Sequence, residues 1–157
     1  MKAFFVSPRL AFGSAIKTKT HVKQLRALGV THVINLRRSN NRQIQKFKHL
    51  WLPFKDNAKP RPRWFYKRTL KFYRKAMKRR GAKLFVMCHH GICRSASLTY
   101  FFLRSAGKSP KKAGAKVRRA RPKARIARAY RESGEEFLWL FGETRFASGD
   151  SRCMRQK

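Results

Sequence analysis

The residues with the clearest chemical capacity stand together in the run Cys88-His89-His90-Gly91-Ile92-Cys93-Arg94-Ser95. If this run joins the end of a buried strand to the start of a helix, its successive backbone N–H groups converge into an anion-binding nest. The positive end of the helix dipole adds to the same point. Gly91 supplies the positive φ or the close approach that such a turn needs. A thiol in that field ionises readily, because helix N-termini and neighbouring cations favour the thiolate, so Cys88 is the expected nucleophile. Arg94 carries a planar fork of N–H donors that matches two phosphate oxygens, and Ser95 can donate a hydrogen bond to the sulfur. The chemistry favoured is transfer of a phosphoryl group to sulfur, with His89, His90, Gly91, Ile92, Cys93 and Arg94 forming the phosphate-binding loop.

Departure of an oxygen leaving group needs a proton donor. The chain has only 6 Asp and Glu against 41 Lys and Arg, and Asp56 is the sole carboxylate ahead of Glu132. That isolation, in a polar and Pro-punctuated loop, nominates Asp56 as the general acid. An Asp that merely caps its own loop is the alternative.

These residues require elements to hold them. KLFVM at 83–87 is a compact apolar run that reads as a buried strand feeding Cys88. SASLTYFFLRSAG, from Ser95 to Gly107, reads as the helix that follows. Upstream, the β-rich runs at 3–6 and 31–36 enclose a segment at 18–28 with Val22, Leu25 and Leu28 at helical spacing, a βαβ pattern. The stretch at 49–54 reads as a further strand leading into the Asp56 loop. From 63 to 79, Trp64, Phe65, Leu70, Phe72, Tyr73 and Met77 recur as the core face of a helix. A helix starts near Ser109-Pro110 and ends at Pro122, and a last one spans about 125–141 with Ile126, Tyr130, Phe137, Leu138 and Leu140. The expected fold is α/β, a central, mostly parallel twisted sheet flanked by helices on both faces, with right-handed crossovers. Ligand then sits beyond the carboxyl ends of the strands, where the Cys88 loop lies. The expected organisation is one domain over residues 1–142 and a basic, flexible tail over 143–157.

At 157 residues and 42% hydrophobic content, the chain has material for one sizeable core. Its formal charge of +35 attracts polyanions, whether nucleic acid, acidic phosphoproteins, polyphosphate or anionic membrane surfaces, or is a solvated surface with no dedicated partner. Arg61 and Arg63 flank the Asp56 loop, and KKAGAKVRRARPKAR follows the cradle helix. Both are candidates for recruiting an anionic substrate. An odd count of three cysteines, with neither a signal-peptide pattern nor an apolar run of about eighteen residues, makes a cytoplasmic protein without a membrane span the expectation. A monomer is expected. Structural zinc draws its ligands from two separated pairs, and no second pair accompanies Cys88 and Cys93, so neither metal nor cofactor is expected.

The pattern C-x-x-G-x-x-R-S, after an apolar strand run and before a helix, resembles the signature loop of the protein tyrosine phosphatase superfamily. GICRSASLTYFF is similar to its dual-specificity branch, and the resemblance extends more loosely from about residue 5 to about residue 140. It implies a dual-specificity-phosphatase-like fold and a phosphocysteine intermediate on Cys88. It also implies general acid and then general base action by Asp56, and a shallow pocket accepting phosphotyrosine and phosphoserine or phosphothreonine. Two positions depart from the family pattern. Met87 stands where the family usually has His, and Cys93 stands where many dual-specificity members carry Ser. Cys93 either tucks into the loop or forms a reversible disulfide with Cys88. Two alternatives stay open. One is an RNA 5′-phosphatase of the same fold, favoured by His90 and the charge but opposed by Arg94-Ser95-Ala96, where that group reads Arg-Thr-Gly. The other is a catalytically weak phosphate- or polyanion-binding module, which Met87 keeps in view. A phosphoinositide specialist would be expected to carry a Lys inside the loop, and there is none.

Overall fold

The computed structural model describes residues 1–142. Five strands form one sheet in the order β1-β2-β5-β3-β4: β1 (Ala3–Ser7), β2 (Leu10–Gly13), β3 (His32–Asn35), β4 (Lys48–Trp51) and β5 (Leu84–Met87). β1 is antiparallel to β2, whereas the pairs β2–β5, β5–β3 and β3–β4 are parallel. The helices are α1 (Lys19–Ala27), α2 (Arg63–Lys78), α3 (Arg94–Ser105), α4 (Pro110–Ala120) and α5 (Arg128–Leu140).

The strands are short, and the three at the centre of the sheet, β2, β5 and β3, are buried along their whole length, so their side chains divide between the two faces by the pleat. Leu10, Phe12, Ile34, Leu84, Val86 and Cys88 point into a core shared with α2, α3, α4 and α5. Ala11, Val33, Phe85 and Met87 point the other way, against Val22 and Leu25 of α1 and against Ile44 and Phe47. Helices thus cover both faces, as the alternation of strand and helix signals requires.

The apolar run at 3–6 implies a single entry strand broken by Pro8. The chain instead reverses at Pro8-Arg9 and returns as β2, whose four residues are all buried. A four-residue run has too little pattern to read alone; tertiary contacts fix it. Arg9 clamps the turn to the end of α2, with Nε donating to the Ala82 carbonyl at 2.8 Å and Nη2 to that of Arg79 at 2.6 Å. The strand expected at 49–54 ends at Trp51, two residues before Pro53, which has no N–H to give a ladder. The helix expected from 125 begins only at Arg128. The preceding amides are engaged elsewhere, Arg125 N–H on the Ile92 carbonyl and Ala127 N–H on Ser97 Oγ. Trp64, expected in the core, is 55% exposed, and Leu28 and Leu140 are exposed too. Phe65 and Leu70 are buried, and Tyr73 stacks on Phe102 with ring centroids 4.5 Å apart. The tail at 143–157 lies outside the described residues.

Candidate active site

The loop between β5 and α3 brings the Cys88 residues together. Cys88 is 2% exposed. Its Sγ accepts the Gly91 N–H at 3.2 Å and lies 3.2 Å from Ser95 Oγ in the first turn of α3. Gly91 has φ +69°, and a Cβ there would fall on the Gly13 carbonyl carbon and 2.6 Å from Ser14 N, so no larger residue fits without moving β2. The loop's carbonyls are tied on its outer side. The His89 carbonyl accepts from Ala15 N–H and that of Ile92 from Arg125 N–H. Arg121 Nη1 donates to the carbonyls of His90 at 2.9 Å and Gly91 at 2.8 Å. With these carbonyls bound outside, the loop's amides can turn inward toward an anion.

Met87, at the position where a His was the family expectation, is fully buried in the α1-side core, on the opposite face of the strand from Cys88. The side chain before the nucleophile therefore fills an apolar site rather than bonding to the loop. The two donors around the sulfur come from Gly91 and Ser95.

Arg94 is 8% exposed. Its Nη1 donates to the carbonyls of Leu36 at 3.0 Å and Phe54 at 2.9 Å, fixing the guanidinium plane between the ends of β3 and β4. Nε is buried without a hydrogen bond and sits 3.5 Å from Asp56 Oδ2, near enough to attract but not to bond well. Anchored through one nitrogen, the guanidinium keeps Nε and Nη2 available as a fork for two phosphate oxygens.

Asp56 stands in the loop after β4, with its side chain 40% exposed. Tyr130 of α5 fixes that loop: its hydroxyl accepts the Ala58 N–H at 2.9 Å and lies 3.4 Å from Asp56 Oδ1, to which it can donate. Ala58 adopts φ 50°, a left-handed turn held in part by this bond. Cys93 is the N-terminal cap residue of α3 and is half-buried. Burial first, then the Asp56 charge, push its thiol up to about 12, so Cys93 remains a thiol at neutral pH. Cys88 and Cys93 are both free.

Arg61 stacks over Phe54, its guanidinium carbon 4.6 Å from the ring centroid, and its amide donates to Ser133 Oγ at 3.2 Å. It props the wall behind Asp56. Arg63 is exposed at the start of α2 and lies outside the cleft. The cleft beside Arg94, about 460 Å³, is instead lined by Arg37, Arg38, Ser39, Lys55, Asp56 and His89. Sequence reasoning missed Arg37, Arg38 and Lys55, three of 41 basic residues. Their only signal is position, since Arg37 and Arg38 follow the run at 31–36, at the carboxyl edge where α/β ligands bind. Partial desolvation, then the charges of His90, Arg37, Lys17 and Arg94, lower the pKa of His89, so its imidazole is neutral near pH 7. His90 is exposed and packs edge-on against His89. Among the described residues no cluster of three His, Cys, Asp or Glu could hold a metal ion.

A buried sulfur that accepts the Gly91 amide and lies within hydrogen-bond distance of the Ser95 hydroxyl, an amide-lined turn at a helix N-terminus, an arginine fork and a carboxylate beside it together suit in-line attack on a phosphate monoester. Residues 12–132 match the family described as dual specificity phosphatase, catalytic domain. The chain belongs to the dual-specificity phosphatase family. Structures of similar fold agree. A mouse putative dual specificity phosphatase complexed with zinc tungstate is 22% identical, with TM-score 0.78, over 91% of this chain and 92% of that one. A point variant of human DUSP28 is 24% identical, with TM-score 0.75, over 89% and 96%. PTPMT1 in complex with PI(5)P is 18% identical, with TM-score 0.75, over 87% and 94%. Comparison with curated protein sequences gives no match. The phosphatase is thus a hydrolase of phosphoesters, and among its described residues no helix is long and apolar enough to cross a membrane.

Proposed function

We propose that this chain hydrolyses phosphate monoesters in two steps through Cys88. The observation that carries the reading is the convergence on one sulfur of the Gly91 amide and the Ser95 hydroxyl, beside an arginine whose Nε is buried and unbonded. The sulfur attacks phosphorus in line, and an S–P bond forms as the P–O bond to the leaving group breaks. Asp56 gives its proton to the departing oxygen. The Asp56 carboxylate then takes a proton from water, whose oxygen attacks phosphorus, and the S–P bond breaks to release phosphate and the thiolate. Arg94 and the loop amides hold the equatorial oxygens throughout, and Ser95 steadies the returning thiolate.

The cleft beside Arg94 is broad and carries no deep aromatic wall. This supports acceptance of phosphotyrosine as well as phosphoserine and phosphothreonine side chains, as the resemblance implies. The reading as a binding module rested on Met87. Its burial away from the sulfur leaves both donors to Cys88 in place, which favours turnover.

The test is release of phosphate from p-nitrophenyl phosphate and from a phosphotyrosine peptide, in reductant and chelator, by the wild type and by Cys88→Ser. Turnover lost in the variant supports the reading. Turnover retained in the variant, or none in the folded wild type, contradicts it.

A further inference from the structure

The amino edge of the sheet, opposite the Cys88 loop, holds a recess of about 320 Å³. Thr31 and His32 at the start of β3, Lys48 at the start of β4 and the turn from Arg79 to Ala82 line it. Ligands of α/β sheets sit at the carboxyl edge, so the fold itself gives these residues no task. β5, four residues long, separates the recess from Cys88 by about 13 Å of strand. Three cations line the recess and no carboxylate does. Among the described residues the side chains of Lys48, Arg79 and Arg80 form no ion pair or hydrogen bond. Like charges gathered in this way work against the compact state.

His32 sets the recess apart from a solvated basic surface. The residue is 5% exposed, and its ring stands edge-on to Phe72. Thr31 Oγ1 accepts the Lys83 N–H at 3.2 Å and lies 2.7 Å from His32 Nδ1. When that hydroxyl gives its proton to Nδ1, the ring carries its own proton on Nε2. Nε2 has no hydrogen-bond partner among the described residues, so a donor in a nearly buried ring is left open to the recess it lines. Burial first, and the Arg79 charge second, lower the pKa of this ring, and an anion between the two would relieve their repulsion. The other walls are fixed as well. Arg9 donates from Nε to the Ala82 carbonyl and from Nη2 to that of Arg79. The turn is thereby clamped, and carbonyls at the carboxyl end of α2 that would repel an anion already face a cation. On the far side, Lys48 N–H donates to the Thr31 carbonyl at 3.1 Å, and Lys48 is the β4 partner of His32.

We propose that this recess is an oxyanion site separate from the catalytic cradle, and that its ligand is a phosphoryl dianion held by His32 Nε2, Arg79, Arg80 and Lys48. The donors approach from two strand starts and one turn and meet at a single recess, with one of them nearly buried. That convergence suits a compact anion, whereas a nucleic-acid backbone is tracked by cations along a groove. The two guanidinium forks each match a pair of oxygens, and Lys48 adds a point charge. The volume exceeds a bare phosphate and admits a small group that carries it. Free phosphate and the phosphomonoester end of a small molecule are the two sources of this chemistry.

The test is nitrogen–proton correlation spectroscopy of the whole chain, titrated with sodium phosphate and, at matched ionic strength, with sodium chloride. Phosphate should produce two responses with separate affinities, one at Gly91 and its neighbours in the cradle, the other at Thr31, Ala82 and the His32 ring. Chloride should move the second set far less. Arg79 and Arg80 are exposed, so replacing them leaves the core intact. Arg79→Gln with Arg80→Gln should weaken phosphate at the recess roughly ten-fold or more, the scale of a lost charge-assisted hydrogen bond. The Gly91 response and hydrolysis of p-nitrophenyl phosphate should be unchanged in that variant. Recess signals that stay still, that follow chloride equally or that ignore the substitutions overturn the proposal. So does a Gly91 response that falls in step with them, the mark of a diffuse charge effect. Phenylphosphonate, whose P–C bond resists hydrolysis, separates the sources. Tighter binding at the recess than phosphate supports a carried group, and weaker binding supports the free ion. Binding is read without turnover, so this proposal and the phosphatase reading can fail independently.

Discussion

Arg121 Nη1 lies 2.8 Å from the carbonyl oxygen of Gly91, and the same nitrogen reaches the carbonyl of His90. A residue from the end of α4 thus ties down the outer side of the turn whose inner side holds Cys88, while its guanidinium stacks on Phe4 at 4.6 Å. The basic run around it was expected to recruit substrate; in the fold, Arg121 is bound to the cradle itself.

Arg121→Leu should leave two loop carbonyls without their donor. Loss of such charge-assisted bonds costs about 1.5–3 kcal/mol, and slack in a preorganised anion site lowers turnover. A fall in kcat of about ten-fold or more is expected, with a lower Tm. Steady-state kinetics beside calorimetry check it; a variant with unchanged kcat would show that the loop holds its shape unaided.

Asp56 and Tyr130 should separate by leaving group. General acid catalysis contributes about 10²–10⁴-fold, so Asp56→Asn should slow aliphatic phosphate esters by that order and p-nitrophenyl phosphate far less, since nitrophenolate departs without a proton. Tyr130→Phe removes the hydroxyl that positions Asp56 and Ala58. It should reproduce the same leaving-group dependence at smaller amplitude, which a general structural weakening would not.

Met87→His, which restores the residue expected of the family, should harm rather than help. The imidazole would enter a fully buried apolar site among Phe85, Ile16 and Leu25, and a buried polar group without a partner costs about 1–3 kcal/mol. Denaturant unfolding should show a loss of that size; an unchanged midpoint would mean that Asn35 or a water meets the ring.

His32 is buried against Phe72, with Thr31 Oγ1 2.7 Å from its Nδ1. Burial first, and the Arg79 charge second, lower its pKa from the ordinary 6.5. The folded state therefore disfavours the protonated ring, and the unfolded chain binds more protons as pH falls below about 6.5. The stabilising contribution is complete above that value and is lost on acidification until the folded-state pKa is passed. Tm measured from pH 7.5 down to pH 5, about the range over which an ordinary His titrates, should decline more steeply in the wild type than in His32→Asn. Equal slopes would remove His32 as the cause.

Much of the fold was legible because the relevant signals are local. The apolar run ending at Met87, the glycine at 91 and the helix-compatible stretch from Ser95 each state their element within a few residues, and the charge table isolates Asp56. What stayed hidden depends on distant contacts. β2 is four buried residues paired with β1 and β5. Arg37, Arg38 and Lys55 meet only when β3 and β4 lie side by side, and in a chain with 41 basic residues no local pattern sets them apart. Tyr130 read simply as a core residue of the last helix. Its hydroxyl reaches across to the Asp56 loop, a pairing between residues far apart in the chain.

The central claim is that Cys88 sulfur carries the phosphoryl group. It is tested most directly by rapid acid quench of the wild type during turnover of p-nitrophenyl phosphate, followed by mass mapping of the cysteine peptides. One phosphoryl group is expected on Cys88, formed and lost at rates compatible with kcat and absent from Cys88→Ser. Turnover with no phosphoryl group on the chain, or with the group on another residue, would contradict it.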